Sequence, residues 1–471
     1  MQLRSENNRI YYFMTAMFCV LFIILSIARY FNIHSTYFDL GIYENIIYRV
    51  AFQHEWSLLF SGHVYPILFI HSFIYRIFPF TETLLILQAL IVSIGSYPLY
   101  LLAKKKLKGI YPLIVIISYF VYYGVEYNII FDFHPDHIII PVLLYAFYFL
   151  DENKLSQFII TCLIGMTVKE PFNLVIMMLG LYALVKYRHM KSGIFVAVAG
   201  LTMFIIDVKV IIPFVSPWIA SVQKLQAAKF GASVPEMIVN LFVNPRIWMH
   251  LIFNKDVITF ICFVFIPLMF IPFLAPLELV IALPIFLILF STGSSLHVGI
   301  ANHYLACIIP PLFVAFVYGL KKVEKFKSIG IIILGVGLLS NIVLSPSPIS
   351  YTFWSGRALN FSYKVYLPEN RNNMIKDNVQ KYIPANPGIS VASQNSFNYG
   401  YLAKRDKYKP FPDDFMNVDY IVIDLKRPLY VLDRIDKEKF MEKFDFARKK
   451  RKLIYEYDGF YILGEKIIQP E

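Results

Sequence analysis

The chain has 471 residues, of which 58% are hydrophobic and only 16% charged. That apolar surplus excludes an ordinary soluble domain, in which about a quarter of residues are charged. The formal charge of +12 is carried by short clusters between apolar stretches, a loop pattern rather than a nucleic-acid-binding face, and the absence of a Walker loop, a GxGxxG or a zinc-spaced Cys/His set excludes a soluble nucleotide-driven machine.

In chain order, apolar stretches at 9–30, 83–103, 109–130, 137–150, 155–168, 171–187, 191–213, 257–275, 277–291, 303–320 and 328–345 read as spanning helices. About 20 residues at 1.5 Å rise cross the roughly 30 Å hydrocarbon core, and roughly eleven spans result. The first lacks a small-residue cleavage site and starts from a weakly basic flank, the marks of a retained anchor rather than a removed signal. Cys19, Cys162, Cys262 and Cys307 are scattered through apolar segments without CxxC pairing and read as lipid-facing or packing residues.

The basic clusters set the orientation. Lys104, Lys105, Lys106 and Lys108, then Lys186, Arg188 and Lys191, then Lys321, Lys322, Lys325 and Lys327 all fall on one side if the N-terminus is cytoplasmic and 64–80 does not span. The stretch 64–80 is therefore expected as a juxtamembrane or re-entrant helix on the outer surface, anchored at the interface by Tyr65, Tyr75 and Arg76. Outer segments then cover 31–82, 131–136 and 214–256. Beyond Leu344 the Ser345-Pro-Ser-Pro348 cluster breaks the helix, and charged residues, turn signals and short β-rich runs follow. Strands are predicted at Ile389–Ala392, Tyr420–Asp424 and Phe460–Leu463, and helices at Glu369–Tyr382 and Asp436–Phe446. The expected fold is an all-α polytopic membrane domain over 1–345 in the cell membrane, followed by a small extracytoplasmic α/β domain over 346–471.

Chemistry concentrates in the outer segments. Asp39, within Tyr37-Phe38-Asp39-Leu40-Gly41-Ile42-Tyr43-Glu44, suits a general base or a metal ligand at an interface, and equally an N-cap of the next helix. His63 could contact a phosphate or share a metal, or be plain polar surface. Phe131-Asp132-Phe133-His134-Pro135-Asp136-His137 sets two carboxylates and two imidazoles between spans. That set could bind a divalent cation through Asp132 and Asp136, or form a wet turn with Asp136 as a cap. Lys169 and Glu170 lie between apolar segments, where charge is costly and faces a cavity or a partner. Adjacent helical residues diverge, so the two need not pair with each other. Asp207, Lys209, Arg246, His250, His297 and His303 repeat the theme, with snorkelling to the interface as the alternative.

The series FDLGIY (38–43), HVYP (63–66), LQALIVSIGSYPLYLLAKKKL (87–107), FDFHPDH (131–137), KEP (169–171) and NHY (302–304), with Ile389–Gln394 and Tyr420–Asp424 later on, resembles domain-of-unknown-function family 2079. That family is similar in layout to the GT-C membrane glycosyltransferases. The resemblance implies a lipid-phosphate-linked sugar donor such as a polyprenyl phosphate sugar, and Asp39 as catalytic base in the first outer loop. It also implies His63, His134, Lys169 and His303 around the donor phosphate, with Glu170 beside them, and Asp132 and Asp136 in the second outer loop as acidic or metal-binding residues. Asp39 lacks the paired acid of many GT-C enzymes, its neighbours being Phe38 and Leu40. The acceptor is not specified. A transporter or flippase for a lipid or anionic solute is the alternative, favoured by charges within spans but not by any inverted repeat. A non-catalytic scaffold whose outer domain binds a partner is a third.

Overall fold

The computed structural model describes residues 2–466 except 222–239, 241–242, 245, 247–248, 250–252, 293, 327, 358 and 428–435. His250 and Lys327 lie outside the described residues, as does much of the segment 214–256. Helix α1 (Gln2–Phe31) is continuous over 30 residues, about 45 Å at the helical rise. Polar partners mark its two ends. Near its start, Asn8 Oδ1 accepts hydrogen bonds from the Tyr100 hydroxyl at 3.0 Å and from Lys104 Nζ at 2.9 Å. Near its end, Arg29 pairs with Asp132. The first lysine cluster therefore lies at the same end of the bundle as the start of the chain, and the acidic, aromatic loops lie at the other.

After α2 (Ile42–Gln53) and α3 (Leu68–Ile77), the chain runs through α4 (Thr81–Ile94) and α5 (Ser96–Lys106), then α6 (Tyr111–Phe120) and α7 (Tyr123–Ile130), then α8 (Ile139–Asp151) and α9 (Leu155–Gly165). Next come α10 (Phe172–Tyr187) and α11 (Met190–Ile206), then α12 (Lys255–Phe265), α13 (Leu283–Ser291), α14 (Ile309–Val323) and α15 (Ile329–Leu344). Among the described residues, three helices are long and apolar enough to cross a bilayer: Glu6–Phe31, Thr81–Lys106 and Met190–Val215. The pair Tyr111–Phe120 and Tyr123–Ile130, bent by 44°, makes a fourth when taken as one span. Length and composition alone thus do not reach eleven; the remaining apolar helices, such as Leu155–Gly165 and Ile329–Leu344, are shorter.

Proline accounts for two departures from the expected spans. The stretch 257–275 is helical only to Phe265 and continues as 3₁₀ turns at Ile266–Leu268 and Ile271–Leu274, because Pro267 and Pro272 lack the N–H that an α-helix needs. The stretch 303–320 becomes helical only at Ile309, with Pro310 and Pro311 in its first turn, which leaves His303 in a turn. The segment 64–80 yields α3, whose 10 residues extend about 15 Å and cannot span. Its expected anchors point elsewhere: Tyr65 and Tyr75 are buried within the protein, and Arg76 donates to the carbonyl of Ala51 at 3.2 Å. The outward face is instead Phe69, Ile70, Phe73 and Ile77.

The terminal unit is a five-stranded sheet in the order β2-β1-β3-β5-β4, with β1 Val391–Gln394, β2 Tyr408–Phe411, β3 Tyr420–Asp424, β4 Arg451–Tyr457 and β5 Phe460–Lys466. β1 is parallel to β2 and β3, and β5 is antiparallel to β3 and β4. Alternate side chains serve opposite layers: Val422 packs with Ile375 and Val379 of α16 (Asn370–Tyr382), and Ile421 and Ile423 with Phe440 and Phe444 of α17 (Lys437–Lys450). The observed β1 begins two residues after the expected strand. β2 and β4 are not among the expected strands, because Tyr-Lys-Pro-Phe and Arg-Lys-Leu-Ile-Tyr-Glu-Tyr carry Pro and charge that only edge strands tolerate.

Helices α10 and α11 cross closely through small residues, as in many membrane bundles. A Cβ on Gly180 would lie 2.8 Å from both Ala197 Cα and Gly193 O. Gly180→Ala is expected to cost about 1–3 kcal/mol through overpacking and to lower the thermal midpoint in detergent. Gly335→Ala, with open space around it, should leave that midpoint unchanged.

Candidate active site between the bundle and the terminal sheet

The loop after α1 opens with a π-helical turn, Tyr37–Gly41, that carries Asp39. The turn is held from two sides. On the sheet side, Tyr37 N donates to Asn395 O at 2.8 Å and Phe38 N to Asn395 Oδ1 at 2.7 Å. The Tyr37 hydroxyl reaches Tyr408 O at 2.9 Å. Asn395 directly follows β1, so the C-terminal edge of the parallel strands, where α/β sheets generally place their ligands, abuts the Asp39 turn.

On the bundle side, Asp132 is buried and accepts from Arg29 Nη1 at 2.7 Å, Thr36 N at 2.6 Å and Thr36 Oγ1 at 2.7 Å. Arg29 also donates to Ile130 O at 3.2 Å and Asn360 O at 3.3 Å, and lies over the Phe361 ring. Thr36 Oγ1 is 2.8 Å from Asp39 Oδ2 as well. One hydroxyl has one proton, so it serves one carboxylate at a time.

Asp39 Oδ1 meets His134 Nε2 at 2.9 Å, while His134 Nδ1 faces the Asp132 carbonyl at 2.8 Å. With acceptors at both nitrogens, the imidazole is suited to its charged form. Burial opposes that charge on His134, but Asp39 and Asp136 raise its pKa above the ordinary value. Burial likewise works against an ionised Asp39, yet His134, Thr36 and Arg29 hold its carboxyl below the usual range. His303 stacks on His134 with ring centroids 3.6 Å apart. Burial, then the charges of His134 and Lys169, push His303 well below its ordinary pKa, towards the neutral ring, and its buried Nδ1 has no hydrogen-bond partner.

The remaining candidates form two further pairs. Lys169 Nζ lies 3.2 and 3.1 Å from the two oxygens of Asp136, with His303 Nε2 at 3.7 Å from the same carboxylate. Glu170 turns the other way, taking His63 Nδ1 at 2.6 Å and Val64 N at 3.2 Å. Lys169 and Glu170 thus serve separate partners, as their adjacency implies. Tyr43 closes the cluster edge-on to His134 at 5.3 Å.

The structure brings Asp39, His134, Asp136, Lys169 and His303 into one contiguous polar cluster, with Glu170 and His63 at its side and Asp132 holding the Asp39 turn through Thr36. Asp39 caps no helix, since the cap positions fall on Thr36 and Gly41, and Asp136 is taken by Lys169. Asp132 and Asp136 face different partners, and no metal-holding group of three or more His, Cys, Asp or Glu side chains occurs among the described residues. Asp207 is buried deeper, in a π-helical turn, where it accepts from Asn173 Nδ2 at 2.8 Å. Sequence reasoning passes over Arg29, Thr36 and Tyr43. A charge in the last turn of an apolar helix is a usable signal for Arg29; nothing local distinguishes Thr36.

Fold and site together define a membrane protein of many apolar helices with this polar cluster, or chamber, at one end, against a small sheet. The chain belongs to the DUF2079 family of predicted membrane proteins, whose match covers residues 29–460. No curated protein matches it. Two solved structures share the fold: ArnT from Cupriavidus metallidurans in the apo state, at 12% identity and TM-score 0.52, covering 94% of this chain and 97% of that one, and ArnT from the same organism bound to undecaprenyl phosphate, at 11% identity and TM-score 0.52, covering 95% and 97%.

Two outcomes are expected from these contacts. Arg29→Met strips a buried carboxylate of its cation and should destabilise the protein by about 3–5 kcal/mol, read as a fall in the thermal midpoint. The Asp39–His134 pair has a defined pH window. Asp39, depressed, contributes stability above its unfolded value and loses it as pH falls through the folded one; His134, raised, contributes fully below its unfolded value and loses it as pH rises through the folded one. The midpoint gap between wild type and Asp39→Asn should therefore be widest between about pH 4 and pH 6.5 and shrink on the alkaline side.

Proposed function

We propose that this protein is a GT-C-like glycosyltransferase that moves a sugar from a polyprenyl-phosphate donor to an acceptor hydroxyl at the outer membrane face. One observation carries the reading. Asp39 is ionised, held through both oxygens, and still 20% exposed in its side chain, whereas Asp132, His134, Asp136 and Glu170 are each under 5%. Within the chamber it is the carboxylate that an incoming hydroxyl can reach. The undecaprenyl phosphate bound to ArnT, whose fold this chain shares, supports a lipid-phosphate donor.

In this mechanism Asp39 takes the proton of the acceptor hydroxyl as its oxygen attacks the anomeric carbon. The bond between that carbon and the phosphate oxygen breaks, with its electron pair leaving on the lipid phosphate. Lys169 offsets the charge on the departing group, with the neutral His303 ring beside it and His63 at the rim. Charged His134 fixes the Asp39 carboxylate in place, and Asp132 positions the turn through Thr36 rather than serving as a metal ligand. The sheet edge at Asn395 borders the chamber and would present the acceptor. The chain divides at residue 345 into a membrane part of eleven passes with a cytoplasmic N-terminus and an extracytoplasmic α/β part. Support for that topology comes from the two polar ends of the bundle: lysine clusters gather at one, the chamber and the sheet at the other.

Membranes carrying the wild-type chain are expected to transfer sugar from polyprenyl-phosphate donors, and Asp39→Asn should slow that transfer by about 10²–10⁴-fold, the usual scale of general-base catalysis. Undiminished transfer in the variant would remove Asp39 as the base. Movement of a solute into reconstituted vesicles with no covalent product would replace the enzyme by a transporter.

A further inference from the structure

At the opposite end of the bundle, away from the chamber, a wide-mouthed surface cavity of about 510 Å³ lies where α9 begins and α10 passes into α11. Its polar lining is Ser156, Arg188, His189, Lys191 and Ser192, and its apolar lining includes Leu155, Ile159 and Phe195. This is the lysine-rich end: Tyr187 donates to Asp151 Oδ1 at 2.9 Å, and Lys105 and Lys106 pair with the same carboxylate.

The acidic groups nearby are already paired. Asp151 is held by Lys105 and Lys106, Glu152 by Lys105, and Glu278 by Lys186. Among the described residues, Arg188 and Lys191 have no ion-pair partner, so the cavity keeps two uncompensated cations. The backbone adds to this charge. Helices α9, of 11 residues, and α11, of 17, both start at the cavity, and neither carries a side-chain cap. Their first N–H groups and the positive ends of their dipoles favour an anion there.

The surface leading away from the cavity is apolar. Ile160, Leu163 and Ile164 on α9 and Ile194, Val198 and Leu201 on α11 are all exposed, although each stands on a helix of the membrane bundle. Such a wall is covered by acyl chains in a bilayer. A phosphate anion over two cations and two helix starts, continuous with hydrocarbon along the wall below, has the shape of one molecule.

From this juxtaposition we infer that the Arg188–Lys191 cavity is a binding site for the phosphate headgroup of an anionic membrane phospholipid, whose acyl chains lie along α9 and α11. The site is separate from the chamber and stands whether or not the chain transfers sugars. Basic pockets between helices at the positive end of a membrane protein recognise headgroups through this combination of charge and hydrocarbon contact.

Native mass spectrometry of the full chain, released from micelles containing equal phosphatidylglycerol and phosphatidylcholine, reads the site directly. The wild type should retain phosphatidylglycerol preferentially. Lys191→Gln should weaken that retention roughly fivefold, the worth of one basic side chain near an anionic surface. Arg188→Asn, which suits the left-handed backbone at that position (φ 57°), should do the same. Lys325→Gln, which removes a lysine from the same end outside the cavity, should change nothing. Unchanged thermal midpoints of the variants in phosphatidylcholine micelles would verify folding. Equal retention of phosphatidylglycerol by the wild type and both single variants would overturn the inference. So would inorganic phosphate stabilising the wild type as well as phosphatidylglycerol does, since the ligand would then be a soluble anion.

Discussion

The buried ion pair between Arg29 and Asp132 is the contact on which the geometry of the chamber depends. Each charge would be costly to bury alone, and the pair is tolerable only because its remaining donors and acceptors are met by Thr36, Ile130 and Asn360. That requirement leaves little freedom. The end of α1, the turn after α7 and the start of the loop that follows α1 must meet at one point, and Asp39 three residues beyond Thr36 inherits its position from that meeting. A second restraint comes from the sheet, whose Asn395 holds Tyr37 and Phe38. The Asp39 carboxylate is thus fixed by groups more than 90 and more than 350 positions away in the chain.

Beyond that contact, the chamber is a set of paired charges rather than a pool of one sign. Asp39 with His134 and Asp136 with Lys169 each approach neutrality, and Glu170 is met by His63 Nδ1 and the Val64 N–H, so polar groups can be kept beside hydrocarbon at tolerable cost. Among these acids Asp39 alone keeps a partly exposed side chain, while the buried Nδ1 of His303 has no hydrogen-bond partner among the described residues. The opposite end follows another rule. There the lysines outnumber the acids, and two of the cations that find no carboxylate among the described residues, Arg188 and Lys191, line the cavity. One bundle thus has an end where charges are compensated and an end where cations are left in excess.

Much of this is legible along the chain. Asp39, His134, Lys169 and His303 stand out because ionisable residues between apolar stretches are costly and need a purpose, and the lysine clusters sort the loops to two sides. The strand Tyr420–Asp424 is legible from its apolar run, and the helices at Asn370–Tyr382 and Lys437–Lys450 from their turn signals. What escapes has physical reasons. β2 and β4 are edge strands, whose polar and charged residues carry no alternation to detect. Pro267 and Pro272 read as tolerable within a span, yet they break it. The tyrosines of the 64–80 segment look like interfacial anchors, but Tyr75 donates its hydroxyl to the buried Glu44 at 2.7 Å.

By itself, then, the sequence determined the solvent of each segment. Hydropathy, charge placement and turn residues are local properties, and they suffice to assign apolar helices, polar loops and a terminal α/β unit. Tertiary structure alone decided the pairings: that Asp132 serves Arg29 and Thr36 while Asp136 serves Lys169, that adjacent Lys169 and Glu170 part company, and that the exit of β1 braces the Asp39 turn. Ion pairs and hydrogen bonds are short-ranged and specific to orientation. Which carboxylate meets which cation depends on where whole helices cross, and that information is spread over the chain rather than written beside either partner.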